Sequence, residues 1–380
     1  MKSADWIVVL AGSRWDDTRG TDHRMAEALS KKVRVLWVDP PVPIIGSASG
    51  GHPAVIPGYS VDPIQAGLVR LRVAVPPAFT KPLMRNIASA LVHRAIRSVT
   101  RSQKTAPLAT VLLSPRDVFP RNNTGHRVLH VTDDWPAGAQ MMGLTRAQVV
   151  RTLRQNIQRA DSVTVVTPYL VGNLPRTRER VTPVVLPNGC GVPEPTLENT
   201  REHSASGIGL IGQLNERLDM DLLDELAASG LPIEVIGPRR ERQSETVERL
   251  DRFLHAENVT WMGEMSEDAL RIRLQKLAVG ITPYADNEFN RASFPLKTMD
   301  YLAAGLAVVS TDLPAVHWLN SSLISVGSTH RDFVDQVACA HATPADFQTR
   351  NERRSFARRH TWDARAEQLL GLIRAEKEIT

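Results

Sequence analysis

Short apolar runs alternate with amphipathic helical stretches twice along this chain, and a polar, proline-containing segment at 193–206 separates the two series. That alternation constrains the fold most, because a strand followed by a crossover helix is the building unit of a parallel sheet. The first series opens with a strand Trp6–Ala11, a helix from about Asp22 to Lys31 with Met25, Ala26 and Leu29 inward, and a strand Val33–Val38. It continues through Leu68–Val75, a helix from Pro82 to about Arg101, Ala109–Leu113, Arg127–Val131, a helix over 145–160 capped by Thr145, Ser162–Val166 and Val181–Leu186. Residues 42–62 are rich in Gly, Pro and Ser without periodicity and read as a mobile loop. The second series starts at Gly207 with Ile208–Ile211, a helix over 219–229, Ile233–Ile236, a helix over 241–255, Val259–Met262, a helix over 266–276 capped by Ser266, and Val279–Thr282. A further helix is expected near 330–341. The fold expected is α/β, with two facing Rossmann-like doubly wound domains and a cleft between them. Their expected bounds are 1–190 and 207–360, joined by a linker at 191–206, with a helix in 361–380 packing back on the first domain.

At 380 residues the chain suits two domains. Its two cysteines, Cys190 and Cys339, lie far apart, which argues for a reducing compartment and against a disulfide framework. No apolar run approaches the roughly 18 residues of a membrane span, and no His/Cys/Asp set has metal-ligand spacing. The net charge of +5 is modest, but its distribution is uneven. From Pro63 to Arg116 there is no acid, while Arg70, Arg72, Lys81, Arg85, Arg94, Arg97, Arg101, Lys104 and Arg116 are all present. Within that segment the helix starting at Pro82 is expected to turn Leu83, Ile87, Ala90, Leu91 and Ala95 inward. The excess points to an anionic partner such as a membrane surface. Few aromatics are interleaved for base stacking, so nucleic acid is not expected.

The richest stretch runs from Asn290 to Thr311. Ser293 is a candidate N-cap, Pro295 suits a first helical turn, Gly305 reads as a C-terminal glycine, and Leu306–Val309 is a buried strand. Lys297 lies in the first turn, where the helix dipole favours anions over cations, and Asp300 follows one turn later. A lysine at a helix N-terminus is suited to phosphate, and a carboxylate one turn on to sugar hydroxyls. An ordinary βα unit with a solvated Lys297 and an exposed Asp300 is the alternative.

Several features together resemble the GT-B glycosyltransferases, in particular the family-four-like bacterial polysaccharide enzymes. They are the Pro187-Asn-Gly turn before the linker, the Gly-x-Leu loop at 212–214, Gly263 after a strand, and the run from Pro295 to Thr311. The likeness implies that the C-terminal domain holds a nucleotide-sugar, UDP- or GDP-linked, with no other cofactor and no metal. Asp300 matches the second Glu of the family's Glu-x7-Glu motif, which takes the ribose; the first falls on Ala292. The family's diphosphate-binding Arg and Lys fall on Gln213 and Arg217. The donor set implied is Gly212, Gln213, Arg217, Tyr284, Asn290, Arg291, Phe294, Pro295, Leu296, Lys297 and Asp300.

If configuration inverts, the acceptor hydroxyl needs a base. Asp134, at the end of a strand in the N-terminal half, is the first candidate and Asp133 its rival; one of the two caps the turn beside Pro136. His23 is a third catalytic candidate, on the other expected cleft loop, where Gly12, Asp16 and Arg19 suit the acceptor; a core or cap role is the alternative for His23 and Asp16, and His130 reads as a structural strand residue. The expected protein is a cytoplasmic enzyme on the inner face of the plasma membrane, glycosylating a lipid-linked glycan. A sugar-nucleotide epimerase or a non-catalytic nucleotide-sugar or polyanion binder are the alternatives.

Overall fold

The computed structural model describes residues 5–17, 19–43, 58–77, 82–102, 106–121, 125–175, 181–191, 206–343 and 345–379. Most of the expected linker, residues 44–57 of the expected loop, and Lys81 and Lys104 of the basic segment lie outside them. The chain forms two compact units: Met1–Val166 with Leu170–Pro187 and Trp362–Thr380, and Asn188–Thr361 with Thr167–Tyr169.

Unit 1 contains β1 (Trp6–Leu10), α1 (Thr21–Ser30), β2 (Arg34–Val38), β3 (Val42–Pro43), β4 (Tyr59–Gln65), β5 (Leu68–Val75), α2 (Pro82–Ser102), β6 (Ala109–Leu112), β7 (His126–Val131), α3 (Arg146–Arg159) and β8 (Ser162–Val165). After it come α4 (Pro168–Asn173), whose first turn belongs to unit 2, and β9 (Val184–Val185). The sheet order is β3-β5-β2-β1-β6-β7-β8-β9, with β4 antiparallel on β5. Every residue of β1 is buried, as a central parallel strand covered on both faces requires; each such aliphatic side chain contributes about 1.5–3 kcal/mol.

Unit 2 runs β10 (Ile208–Ile211), α5 (Met220–Ala228), β11 (Ile233–Ile236), α6 (Ser244–Leu254), β12 (Val259–Trp261), α7 (Glu267–Leu274), β13 (Val279–Thr282), α8 (Glu288–Ala292), α9 (Leu296–Ala304), β14 (Ala307–Thr311), α10 (Pro314–Leu319), β15 (Ile324–Gly327), α11 (His330–Ala342) and α12 (Phe347–Arg358). Its sheet is wholly parallel, in the order β12-β11-β10-β13-β14-β15. The strand order reverses between β10 and β13, and open α/β sheets bind ligands beyond the carboxyl ends of strands at such a switch point. The last helix, α13 (Trp362–Ile379), packs on α1 in unit 1 and buries Ala366, Leu369, Leu370 and Ile373. No described helix is long and apolar enough to cross a membrane.

Three local expectations are corrected. Ser293 is not the N-cap of α9: it closes α8, its hydroxyl donating to the Phe289 carbonyl, and Pro295 takes the cap position. Part of the expected loop 42–62 is strand, because Tyr59–Gln65 pairs along β5. The helix α2 buries Ala88, Val92, Ala95, Ile96 and Thr100, leaving Ile87 42% exposed and Ala90 exposed. It has apolar or small residues on both sides, and the i, i+4 stripe from Ala88 is the one that meets the sheet. The basic segment is also less uniform than its sequence. Arg70 is buried and bonded to Asp39 and Asp16, and Arg72 pairs with Asp62. Arg94, Arg97 and Arg101 on α2 are exposed.

Candidate active site

In unit 2 the candidate site begins where β10 and β11 end. Gly212 has φ +144 and Gly237 has φ +146, a region that side chains rarely adopt. The Gly212 N–H donates to the Ile236 carbonyl at 2.9 Å and the Gly237 N–H to that of Gly263 at 2.8 Å. A Cβ on Gly237 would stand 1.8 Å from the Gly212 oxygen. The two turns are therefore in backbone contact, which only glycine permits. A Cβ on Gly212 would lie 3.8 Å from Cε of Lys297, so the lysine stem covers this turn.

Lys297 occupies the first turn of α9, and its Nζ donates to Asp300 Oδ2 at 3.1 Å. The two side chains are 28% and 29% exposed, shielded yet open to a ligand. Both the lysine charge and the helix N-terminus repel cations and favour an anion here. The helix is fixed from below by Tyr301. Its buried hydroxyl accepts the Ile211 N–H at 2.9 Å and donates to the Ile281 carbonyl at 3.3 Å, tying α9 to β10 and β13. Gly280 makes this possible: a Cβ there would stand 2.2 Å from the Tyr301 ring.

A second group surrounds Arg217, beyond β10. Its guanidinium lies 4.9 Å from the Tyr284 ring centroid and 5.1 Å from that of Phe289. Its Nε donates to Asn290 Oδ1 at 2.9 Å. The Asn290 Nδ2 donates to the carbonyls of Arg217 at 2.9 Å and Ala285 at 2.8 Å. Asn290 is 1% exposed, so its side chain is a clip for Arg217 and not a ligand contact. No described residue bonds the two terminal nitrogens of Arg217. Their four N–H donors sit on a planar fork that two ring faces hold in place.

The other residues of the expected donor set divide. Gln213 is exposed and Leu296 half-buried. Phe294 is buried, edge-on to Trp318 with ring centroids 6.3 Å apart, and serves the packing of α8 and α10. Arg291 is committed to Asp286, whose carboxylate raises its pKa above the ordinary arginine value. Ala292, where the family's first Glu would stand, is fully buried, and its carbonyl accepts the Thr167 hydroxyl at 2.8 Å. Gly237 and Asn290's clip role were not read from sequence. The Gly237-Pro238 pair after an apolar run was the available signal for the first.

In unit 1 the loop after β1 is organised by Asp22, which sequence reading did not single out. Its Oδ2 accepts from the N–H groups of Gly12 and Ser13 and from the Ser13 hydroxyl, at 3.2, 3.1 and 2.6 Å. Burial opposes its charge, but His23 and Ser13 outweigh that and hold the carboxyl below its usual range. His23 is not a surface acid or base. It is fully buried against Trp15 and Trp37, with Nε2 3.0 Å from the Arg14 carbonyl. Burial disfavours its cation, yet Asp22 and the loop carbonyls raise its pKa. Asp16 takes two bonds from Arg70, and Arg19 bonds Glu27 at 2.5 Å and lies 5.6 Å over the Trp15 ring. The structure thus assigns Asp16 and Arg19 to the framework of this loop, with Gly12 at its backbone root.

Asp134 is buried and fully engaged. Its Oδ1 accepts the Ala137 N–H and its Oδ2 the Asn173 amide, each at 2.9 Å. It is the member of the Asp133–Asp134 pair that caps the turn, and Asp133 beside it is half-buried. His130 is buried in β7, with Nδ1 2.8 Å from the Thr164 hydroxyl. Among the described residues no three His, Cys, Asp or Glu side chains are grouped as a metal would need.

Residues 208–341 match the family described as Glycosyl transferases group 1. Over 97% of its length the chain is 24% identical to a Bacillus subtilis protein named as a teichuronic acid biosynthesis glycosyltransferase, TuaH, 97% of which is covered. Among solved structures it is similar to sucrose-phosphate synthase from Thermosynechococcus elongatus, with a TM-score of 0.73 at 13% identity, covering 99% of this chain and 100% of that one. It is also similar to an alpha,alpha-trehalose-phosphate synthase (UDP-forming) from Burkholderia xenovorans in complex with glucose-6-phosphate, with a TM-score of 0.66 at 11% identity, covering 97% and 100%. Those structures share the fold, and the matched family spans the sheet that carries Gly212, Arg217, Lys297 and Asp300. The chain has the fold of the GT-B glycosyltransferases, and the stretch that matches the glycosyl transferases group 1 family is the one that builds this candidate site.

Proposed function

We propose that the enzyme takes its sugar from a nucleoside diphosphate sugar, UDP-linked, and delivers it to a hydroxyl of a lipid-linked glycan in envelope polysaccharide synthesis. The observation that carries this reading is the pair of touching glycine turns beneath Lys297, at the strand switch point of unit 2. A diphosphate can approach a turn without side chains, and the lysine and the N-terminus of α9 supply positive charge. As the sugar–phosphate bond breaks, negative charge grows on the leaving phosphate. Fixed cations stabilise it more than they stabilise the intact donor, and that difference lowers the barrier. Lys297 and the clipped Arg217 fill this role, so the reaction proceeds without a metal or other cofactor. Asp300 receives the ribose hydroxyls.

On the acceptor side, Asp133 replaces Asp134 as the candidate for the acceptor's proton, because both Asp134 oxygens serve the turn and Asn173. The loop over 12–17, braced by Asp22 and Arg70, is the acceptor-facing wall. The TuaH likeness supports a polymer acceptor, and the UDP-forming relative supports the base. The outward face of α2, with Ile87, Arg94, Arg97 and Arg101 all exposed, supports a cytoplasmic enzyme resting on anionic lipid.

Two experiments test this reading. A panel of UDP- and GDP-sugars is offered and nucleoside diphosphate release measured; turnover with none of them overturns the donor assignment. Flotation with phosphatidylglycerol vesicles is compared between the wild type and Arg94→Glu/Arg97→Glu. Equal capture of both proteins, or of neither, removes α2 as the membrane face.

A further inference from the structure

We propose that the arginine face of α12 binds a phosphate-class oxyanion beside the carboxyl end of α9, at a site separate from the donor site and independent of that reading. Arg350, Arg353 and Arg354 stand at i, i+3 and i+4, on one face of α12, and this helix packs along α9. All three are only partly exposed. Three guanidinium groups carry roughly fifteen N–H donors. Against these, the described residues give three bonds: Arg353 Nη1 to the Gly305 carbonyl at 3.3 Å, Arg354 Nη2 to the Ala304 carbonyl at 3.4 Å, and Arg354 Nη1 to Asn351 Oδ1 at 3.4 Å. All three are long, and Arg353 Nε is buried with no partner among the described residues.

The charge balance points the same way. The C-terminus of α9 offers about half a negative charge. Asp346 is the carboxylate that acts on Arg353, while Arg350 and Arg354 have none among the described residues. Three positive charges against about one and a half negative leave a surplus near +1.5, which matches the roughly −1.5 to −2 of a phosphate group. Burial disfavours all three cations, and Arg350 weighs on both neighbours while Arg358 adds to Arg354. A half-buried surplus of this kind is costly unless something compensates it. Gly305, at φ +86, lets the Arg354 guanidinium close on the turn: a Cβ there would stand 3.1 Å from its Nε.

The two sources of such an anion are a free phosphate and a phospholipid headgroup. Thermal melting of the full chain is followed with inorganic phosphate against chloride at equal ionic strength, in the wild type, Arg350→Gln and Lys297→Ala. The expected result is stabilisation by phosphate that persists in Lys297→Ala, with affinity reduced about ten- to a hundredfold in Arg350→Gln. Arg350→Gln without phosphate melts no lower than the wild type, since it loses repulsion and no bond. Capture on phosphatidylglycerol vesicles that depends on Arg350 supports the headgroup as the source. If Arg350→Gln does not fold, Arg350→Lys and phosphorus NMR line broadening on the wild type replace it. The proposal is overturned if neither phosphate nor vesicles act on the wild type, or if both act equally on the Arg350 variants.

Discussion

Asn290→Ala isolates the joint between fold and chemistry. The Asn290 side chain makes three bonds, one from the Arg217 guanidinium and two to the carbonyls of Arg217 and Ala285. A bond to a charged group contributes about 1.5–3 kcal/mol, and a neutral one about 1. Ala285 is partly exposed, so water recovers part of the loss there. The sum is a cost of about 3 kcal/mol, which for a unit of this size lowers the melting temperature by about 6–12 °C. Arg217 then keeps only its two aromatic contacts, and kcat/KM for the donor falls about tenfold or more through lost orientation. Asn290→Asp separates the effects, since it keeps an acceptor for Arg217 and removes the donors to both carbonyls. A double-mutant cycle of Asn290→Ala with Arg217→Ala reads the coupling directly, expected at about 1 kcal/mol or more. A melting shift under about 3 °C, or strict additivity in the cycle, refutes the clip.

Other predictions follow from single contacts. Tyr301→Phe leaves the buried Ile211 N–H without its acceptor and costs about 1–3 kcal/mol in urea unfolding, while the folded variant keeps its turnover. Gly237→Ala must move the Gly212 turn or strain it; a loss of at least about 2 kcal/mol together with weakened UDP binding by calorimetry is expected. Burial lowers the pKa of His130 to about 4, below its value in the unfolded chain. Between pH 6.5 and about 4 the unfolded chain therefore binds the extra proton, and stability falls as the pH drops through that window, by about 3 kcal/mol at most. His130→Gln flattens that part of the pH–stability curve.

The alternation of strands and helices was legible because buried parallel strands are continuous apolar runs, and the helix faces of α1, α3 and α5 followed their periodicity. The helix α12 left no such trace: it buries only Ala357 among many charges, so its sequence has no apolar face to read. In α2 two apolar stripes competed, and only the sheet decides between them. At the site, Gly212, Lys297 and Asp300 could be read from a motif whose chemistry is local. Asn290, His23, Asp16 and Asp134 are polar residues in loops or first turns, and a sequence cannot say whether such a group faces a ligand or satisfies buried backbone. The structure assigns Asn290, His23 and Asp134 to the second task, and pairs Asp16 with the Arg70 guanidinium. Asp22 was passed over for the converse reason, since its partners at Gly12 and Ser13 are far along the chain.

The central claim is that Lys297 and Asp300, over the touching turns of Gly212 and Gly237, hold the nucleoside diphosphate of the donor. Steady-state release of UDP from UDP-sugars, in the presence of a glycan acceptor, tests it most directly in the wild type, Lys297→Ala and Asp300→Ala. The account predicts release by the wild type and a loss in each folded variant of about a hundredfold, the scale for removing a charged contact to the leaving group. Wild-type rates in both variants would contradict it.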